Sequence, residues 1–246
     1  MKRLAALVIL SMVPTAAIQL IGRAAVPAAV QVDPQVARGM ELFVAGCAAC
    51  HGVEGQGTGQ GPPMVGVGAA SVDFMLSTGR MPLSDPEAQP VRRAPAYSPE
   101  EIEAIVAYVA SLGPGGPGIP TVDAAEGAVS VGRRLYAANC LACHGAGGQG
   151  ASVGGGAVAP ALDRATAVQI AEAVRAGPGA MPPFTEEQLS QADVDSLVRY
   201  VLFQRAAEDA GGLGLGHVGP VVEGLIGWLV GLGILILVIR MTGTAR

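Results

Sequence analysis

Lysine is nearly absent from this chain: it occurs once, at Lys2, and the remaining basic residues are arginines. No Lys/Arg cluster exists that would track phosphates, and the formal charge of −5 at pH 7 argues against a nucleic-acid partner. Aromatic residues are scarce at 4%, which argues against large aromatic cores. Cysteine is limited to four residues in 246, and these show no disulfide framework that would staple small domains. In their place stand 36 Gly and 18 Pro among small apolar residues, a composition that predicts short helices and long loops.

Charge is missing from Leu4 to Ile21, an apolar run behind Lys2 and Arg3. The pattern suits a signal peptide, with Val26-Pro27-Ala28 as cleavage site, and equally a retained membrane anchor. Residues 1–30 are assigned to one of these two roles. A second run, Val221 to Ile239, carries only Glu223 and is followed by Arg240 and Arg246. About 20 apolar residues cross a hydrocarbon core, so residues 220–240 predict a transmembrane helix rather than a buried core helix. Trp228 would lie at the headgroups or against another helix. The positive-inside rule then places both basic ends in the cytoplasm. Everything between them lies on the outer face of the cell membrane, whether the chain passes once or twice.

The region between repeats itself. "RGMELFVAGCAACHG" precedes and includes one Cys/His motif, and "VGRRLYAANCLACHG" the other. Gly39 matches Gly132 and Phe43 matches Tyr136; each Gly/aromatic pair is spaced i, i+4 and shares a helical face. Met81-Pro82 matches Met181-Pro182. "SPEEIEAIVAYVASLG" matches "LSQADVDSLVRYVLFQ", both of helical period, with Tyr108 opposite Tyr200 and a capping-box pattern at Ser98 and Glu101. Two similar domains are therefore expected, at 33–113 and 129–210, joined by a Gly/Pro-rich linker at 114–128. The expected fold is mainly α. Domains this small make marginal cores and need a supplement.

All four cysteines lie in C-x-x-C-H motifs: Cys47, Cys50 and His51, then Cys140, Cys143 and His144. On one helical turn the three side chains of each motif project to one side. The spacing is the attachment pattern of a c-type haem: two thiols bond the vinyl groups and the imidazole ligates iron. A thioredoxin-type redox dithiol needs a βαβ context, and none is visible; a zinc site shared by both motifs would leave the histidines and the repeat unexplained; one structural disulfide per half is the other alternative, open to a protein outside the cytoplasm. Two covalent haem c groups also answer the size problem, since each gives its domain an apolar body to fold around.

The second axial ligands are read as Met81 and Met181, at equivalent positions before a proline; a thioether there raises the potential. Met181 is the one methionine of its domain, whereas Met64 and Met75 compete with Met81, and Met40 is read as core. Pro62 and Pro160 either turn a backbone carbonyl toward the free nitrogen of His51 and His144 or are ordinary loop prolines. Arg80 either pairs with a haem propionate or is a solvated surface residue. His217 is read as interfacial rather than a ligand.

These residues resemble class I cytochrome c domains: the Gly/aromatic helix, CxxCH, a proline loop, the ligand Met and a final helix with Tyr. Two such domains before one membrane helix, with "GPPMVGVG", "STGRMP", "YAANCLACHG" and "MPPFTEEQLS", are similar to the dihaem cytochrome c subunit of the actinobacterial menaquinol:cytochrome c reductase, the cytochrome bcc complex. The resemblance covers about 35–240. It implies a cytochrome b subunit and a Rieske iron–sulfur subunit as partners, with electrons passing from the Rieske cluster to a terminal oxidase. It also implies that the second domain accepts and the first faces the oxidase. The chain would then be the electron-transfer subunit of a quinol:cytochrome c oxidoreductase, a translocase, with no substrate chemistry of its own. A dihaem subunit of another membrane or periplasmic dehydrogenase or oxidase would share everything but its partners. A peroxidase-like enzyme would lack one Met ligand.

Overall fold

The computed structural model describes residues 33–206 and 220–243. The apolar run of residues 4–21, the cleavage motif and His217 lie outside the described residues.

The first half holds four helices: α1 (Pro34–Gly46), α2 (Ala48–His51), α3 (Ala69–Ser77) and α4 (Pro99–Ser111). The second repeats the plan with α5 (Val129–Asn139), α6 (Leu141–His144), α7 (Ala167–Ala176) and α8 (Gln191–Ala206). Each half is organised by a crossing of its first and last helices, α1 on α4 and α5 on α8. Glycine makes both crossings possible. A Cβ on Gly39 would lie 1.9 Å from the Ala104 carbonyl oxygen, and one on Gly132 would lie 2.0 Å from that of Ser196. The aromatic residue four positions on then meets the tyrosine of the last helix. Phe43 and Tyr108 are tilted with centroids 5.3 Å apart, and Tyr136 and Tyr200 are edge-to-face at 5.4 Å.

Helix starts follow the local code. Ser98 and Glu101 form a reciprocal capping box with Pro99 in the first turn of α4; Thr166 and Gln169 do the same for α7. Each half has its own apolar core, one around Phe43, Leu76, Ile105 and Val109, the other around Tyr136, Ile170, Val194 and Val198. Met40 is not part of either: it is 53% exposed. Its position on α1 is one residue past Gly39, so it points away from the crossing that buries Gly39 and Phe43.

Two features have no counterpart in the helical repeat. A Gly-rich insert between α6 and α7 forms an antiparallel hairpin, β1 (Ala151–Gly154) and β2 (Ala157–Ala159), whose turn carries positive φ at Gly154, Gly155 and Gly156. The Gln89 side chain clips it to the first half, donating to the Val158 carbonyl at 2.8 Å and accepting from the Val158 N–H at 3.0 Å. The segment between α4 and α5 is pinned at both ends. Ala70 N–H donates to the Pro117 carbonyl, Asp123 N–H to Asp195 and Ala128 N–H to Ser196.

Helix α9 (Pro220–Gly243) is 24 residues long, about 36 Å at 1.5 Å per residue. It carries a candidate membrane span, Val222–Gly243, none of which is buried. Trp228 is 70% exposed, so the reading of this stretch as a buried core helix does not apply.

Replacing Gly39 or Gly132 with alanine should force the crossing helices apart. We expect a loss of about 1–3 kcal/mol and a fall of roughly 4–8 °C in melting temperature per kcal/mol for domains of this size. Circular dichroism melts check this, with Gly118→Ala as the neutral control, because a Cβ there meets nothing within 4 Å.

Candidate haem sites

The two C-x-x-C-H motifs fold in the same way. Cys47 N–H donates to the Phe43 carbonyl at 2.8 Å, and Cys140 N–H to the Tyr136 carbonyl at 2.8 Å, so each motif continues from the aromatic residue of the helix before it. His51 N–H donates to the Cys47 carbonyl at 2.9 Å and His144 N–H to that of Cys140 at 2.8 Å, closing one turn. Gly52 and Gly145 then turn the chain away at φ 81° and 77°, a region that disfavours any side chain.

Each histidine ring is held from outside its own turn. His51 Nδ1 meets the Pro62 carbonyl oxygen at 2.8 Å, and His144 Nδ1 meets that of Pro160 at 3.0 Å. A carbonyl only accepts, so Nδ1 carries the proton and donates, and Nε2 keeps its lone pair. That is the tautomer a metal ligand needs, with its orientation fixed by the outer partner. The prolines are therefore not ordinary loop residues. The loop that brings Pro62 in passes very close: a Cβ on Gly61 would lie 2.8 Å from the Cys50 carbonyl oxygen and 3.1 Å from His51 Cε1. Thr58 secures it by donating from Oγ1 to the same Cys50 carbonyl at 2.5 Å.

In the first half a cavity of about 220 Å³ brings Cys47, Cys50, His51, Pro62 and Met81 to one space, with Leu76 and Tyr97 on its walls. Met64 and Met75 are not among its lining residues. In the second half Met181 packs, partly buried, against the same apolar cluster as Cys140, and His144 is buried. Cys143 is exposed. All four cysteines are free, so neither motif is a disulfide.

The thiols do not suit redox exchange. Burial, then the neighbouring Cys50, pushes the Cys47 thiol up, and burial with Cys143 pushes Cys140 up to about 11. Reactive C-x-x-C pairs have lowered values instead. Among the described residues, no three His, Cys, Asp or Glu side chains group as a metal cage, so the two motifs do not combine into one zinc site.

The chain does fit an anionic, apolar prosthetic group. Arg80 is buried, lies 4.8 Å above the Phe74 ring, and its Nη1 has no hydrogen-bond partner. It is not a solvated surface arginine. Burial, then Arg92, pulls its pKa down, which is the signature of a cation short of a counter-charge. A haem propionate beside Met81 would provide that charge.

Two family models match this chain: one described as cytochrome c over residues 36–113, and one described as cytochrome c oxidase, cbb3-type, subunit III, over residues 127–201. Proteins named cytochrome bc1 complex cytochrome c subunit resemble it over most of its length. That of Corynebacterium diphtheriae is 34% identical over 228 residues, covering 85% of this chain and 81% of its own. Those of Mycobacterium bovis and Mycobacterium leprae are 35% and 36% identical, each covering 79% of this chain, and 72% and 70% of their own length. The chain belongs to the family of cytochrome bc1 complex cytochrome c subunits. Membership of this cytochrome family carries covalently bound haem c with it, and the geometry above says how the chain is shaped to hold that group.

Sequence reading missed Tyr97. It walls the cavity, and its hydroxyl reaches so close to α1 that a Cβ on Gly46 would lie 2.0 Å from it. A signal was present: of the four tyrosines, Tyr97 alone has no repeat or equivalent aromatic in the other half.

Arg80→Leu should lower the midpoint potential of a haem held at the Cys47/Cys50 motif, because removing a nearby cation disfavours the electron-rich state. A charge interaction of about 1 kcal/mol corresponds to roughly 40 mV for one electron. Redox titration by visible absorbance checks this; a haem held at the Cys140/Cys143 motif should keep its potential.

Proposed function

We propose that this chain is the dihaem relay of a membrane quinol:cytochrome c reductase, passing single electrons from a Rieske iron–sulfur subunit to a terminal oxidase. The observation that carries the reading is the pair of matched sites, each with a histidine locked by a proline carbonyl, in a chain whose whole-length relatives are bc1-complex cytochrome c subunits.

In the first domain Cys47 and Cys50 would hold the haem by thioether bonds, and His51 Nε2 and Met81 would ligate its iron. In the second domain Cys140, Cys143, His144 and Met181 take the same roles. Bound haem supplies a one-electron couple. If His51 with Met81, and His144 with Met181, hold the iron, neither site would leave a place for a substrate, so this chain's residues would act by orienting the group, excluding water and setting its potential. Quinol chemistry then belongs to other subunits, and the translocase activity to the whole complex.

The proposed domains are 33–113 and 129–210, with 114–128 between them and a membrane helix at 220–240. The arginine after that helix supports a cytoplasmic C-terminus and haem domains on the outer face. The cytochrome b and Rieske subunits are the proposed membrane partners. The second domain is assigned to accept from Rieske and the first to face the oxidase. The oxidase-subunit description matched by residues 127–201 favours one rival, a dihaem subunit of an oxidase. The whole-length relatives weigh against it, because they match both domains together.

Two measurements test this. Met81→Leu and Met181→Leu should each convert one haem, and only one, to a form lacking the sulfur ligand, with its potential lowered; unchanged spectra would remove these ligand assignments. Mild detergent extraction should bring down cytochrome b, Rieske and oxidase subunits with this chain. Purification with a dehydrogenase instead would select the alternative.

A further inference from the structure

Helices α3 and α7 meet where the two halves of the protein join. Part of that contact is polar. Asp73 and Ser77 stand one turn apart on α3, and Gln169 and Glu172 stand one turn apart on α7. Gln169 is fully engaged: its amide nitrogen donates to Ser77 Oγ at 3.2 Å, and its oxygen accepts from Arg92 Nη2 at 2.6 Å. Glu172 is not. Its side chain is wholly buried, and neither of its carboxyl oxygens has a donor partner among the described residues. The group it meets across the seam is another acid, Asp73.

Among the described residues, no cation answers this charge. Asp73 is the one charged residue of α3. On α7 itself, Arg175 donates to the Phe184 and Leu189 carbonyls. On α8, which packs against α7, Asp193 bonds Ser190, Asp195 accepts from Asp123 N–H and Gln191, and Tyr200 faces Tyr136. Arg199 donates to the Ala124 and Ala125 carbonyls, and Arg205 to those of Asp163 and Ala165. Arg92 is committed to Gln169, one turn from Glu172.

A buried carboxylate without donors is costly, and two facing each other are costlier. One proton removes both costs, because a protonated carboxyl donates its O–H to the ionised one. We propose that Asp73 and Glu172 form a proton-binding site in the seam, holding one proton between them, and that this proton keeps the first domain docked on the second. The site is separate from the electron relay and goes beyond it. Burial, with Asp73 adding its hydrogen bond and like charge, raises the Glu172 carboxyl to about 9, so the proton stays through the neutral range. The sign follows from linkage. Folding raises this group from 4.5 to about 9, so its contribution to stability is lost progressively across that interval and does not change further above it.

Infrared absorption of the full-length haem-loaded protein in detergent tests the site directly. At pH 7 the wild type should show a carboxylic-acid carbonyl band that shifts in heavy water. One pH unit above the apparent pKa, the band should have fallen roughly tenfold. Glu172→Gln should abolish it, and Asp73→Asn should shift it by removing the partner. If Glu172→Gln does not accumulate, the wild-type titration and Asp73→Asn carry the test. A pH 7 band that is the same in every variant made, or no such band in the wild type, would overturn the shared proton. Amide hydrogen exchange over 69–77 and 167–176 tests docking. Corrected for base catalysis, protection should fall progressively between about pH 4.5 and 9 in the wild type, levelling off above that, and stay level in Glu172→Gln; matching profiles would overturn the docking role. Neither readout involves electron transfer, so the relay can fail while this site stands, and the reverse.

Discussion

The structure turns on a hydrogen bond made twice, from a histidine Nδ1 to the carbonyl of a proline eleven residues on in one half and sixteen in the other. An imidazole on a short turn would otherwise sample several orientations and two tautomers. Binding Nδ1–H to a fixed acceptor leaves Nε2 with the free lone pair that a ligand atom needs and fixes the ring's orientation. The close pass of Gly61 beneath the motif and the Thr58 bond to Cys50 exist to deliver that carbonyl. The helix crossings through Gly39 and Gly132 serve the same end, since each motif hangs from the crossing's aromatic residue by a backbone hydrogen bond.

Small domains with few aromatics and no disulfides sit near the limit of what a hydrophobic core can support. In the first half the core borders the cavity that Cys47, Cys50, His51 and Met81 line, and a haem held there would add apolar contact to that core. Arg80 makes the point for the first domain. Burying a guanidinium nitrogen without a partner opposes folding unless an anion arrives, and a propionate is the anion that covalent attachment would place nearby.

The halves differ where they touch. The hairpin of residues 151–159 exists only in the second half, and Gln89 reads its backbone as a neighbouring strand would. The connecting segment, Gly/Pro-rich as a flexible linker would be, is tied down by Asp195, Ser196 and Arg199. A relay gains from such ties, because electron transfer between two centres depends steeply on their separation. A seam that fixes two domains does work that neither domain needs for its own fold.

The legible part of this protein was local. C-x-x-C-H places three side chains on one turn, a capping box spans four residues, and a membrane helix is a run of apolar positions; each is specified by neighbours along the chain. The repeat extended that legibility to the Gly/aromatic crossings, because two copies of one pattern show which positions must meet. Met40 shows the limit: helical spacing put it on α1, yet one residue past the packing face it lies in solvent. Sequence picked Met81 over Met64 and Met75 through the repeat alone, left open whether Arg80 is buried and where the Pro62 and Pro160 carbonyls point, and held no hint that Asp73 and Glu172 face each other. Those depend on helices and loops distant in the chain meeting at particular angles, and burial, which sets the energetic worth of a charge, exists only after they have met.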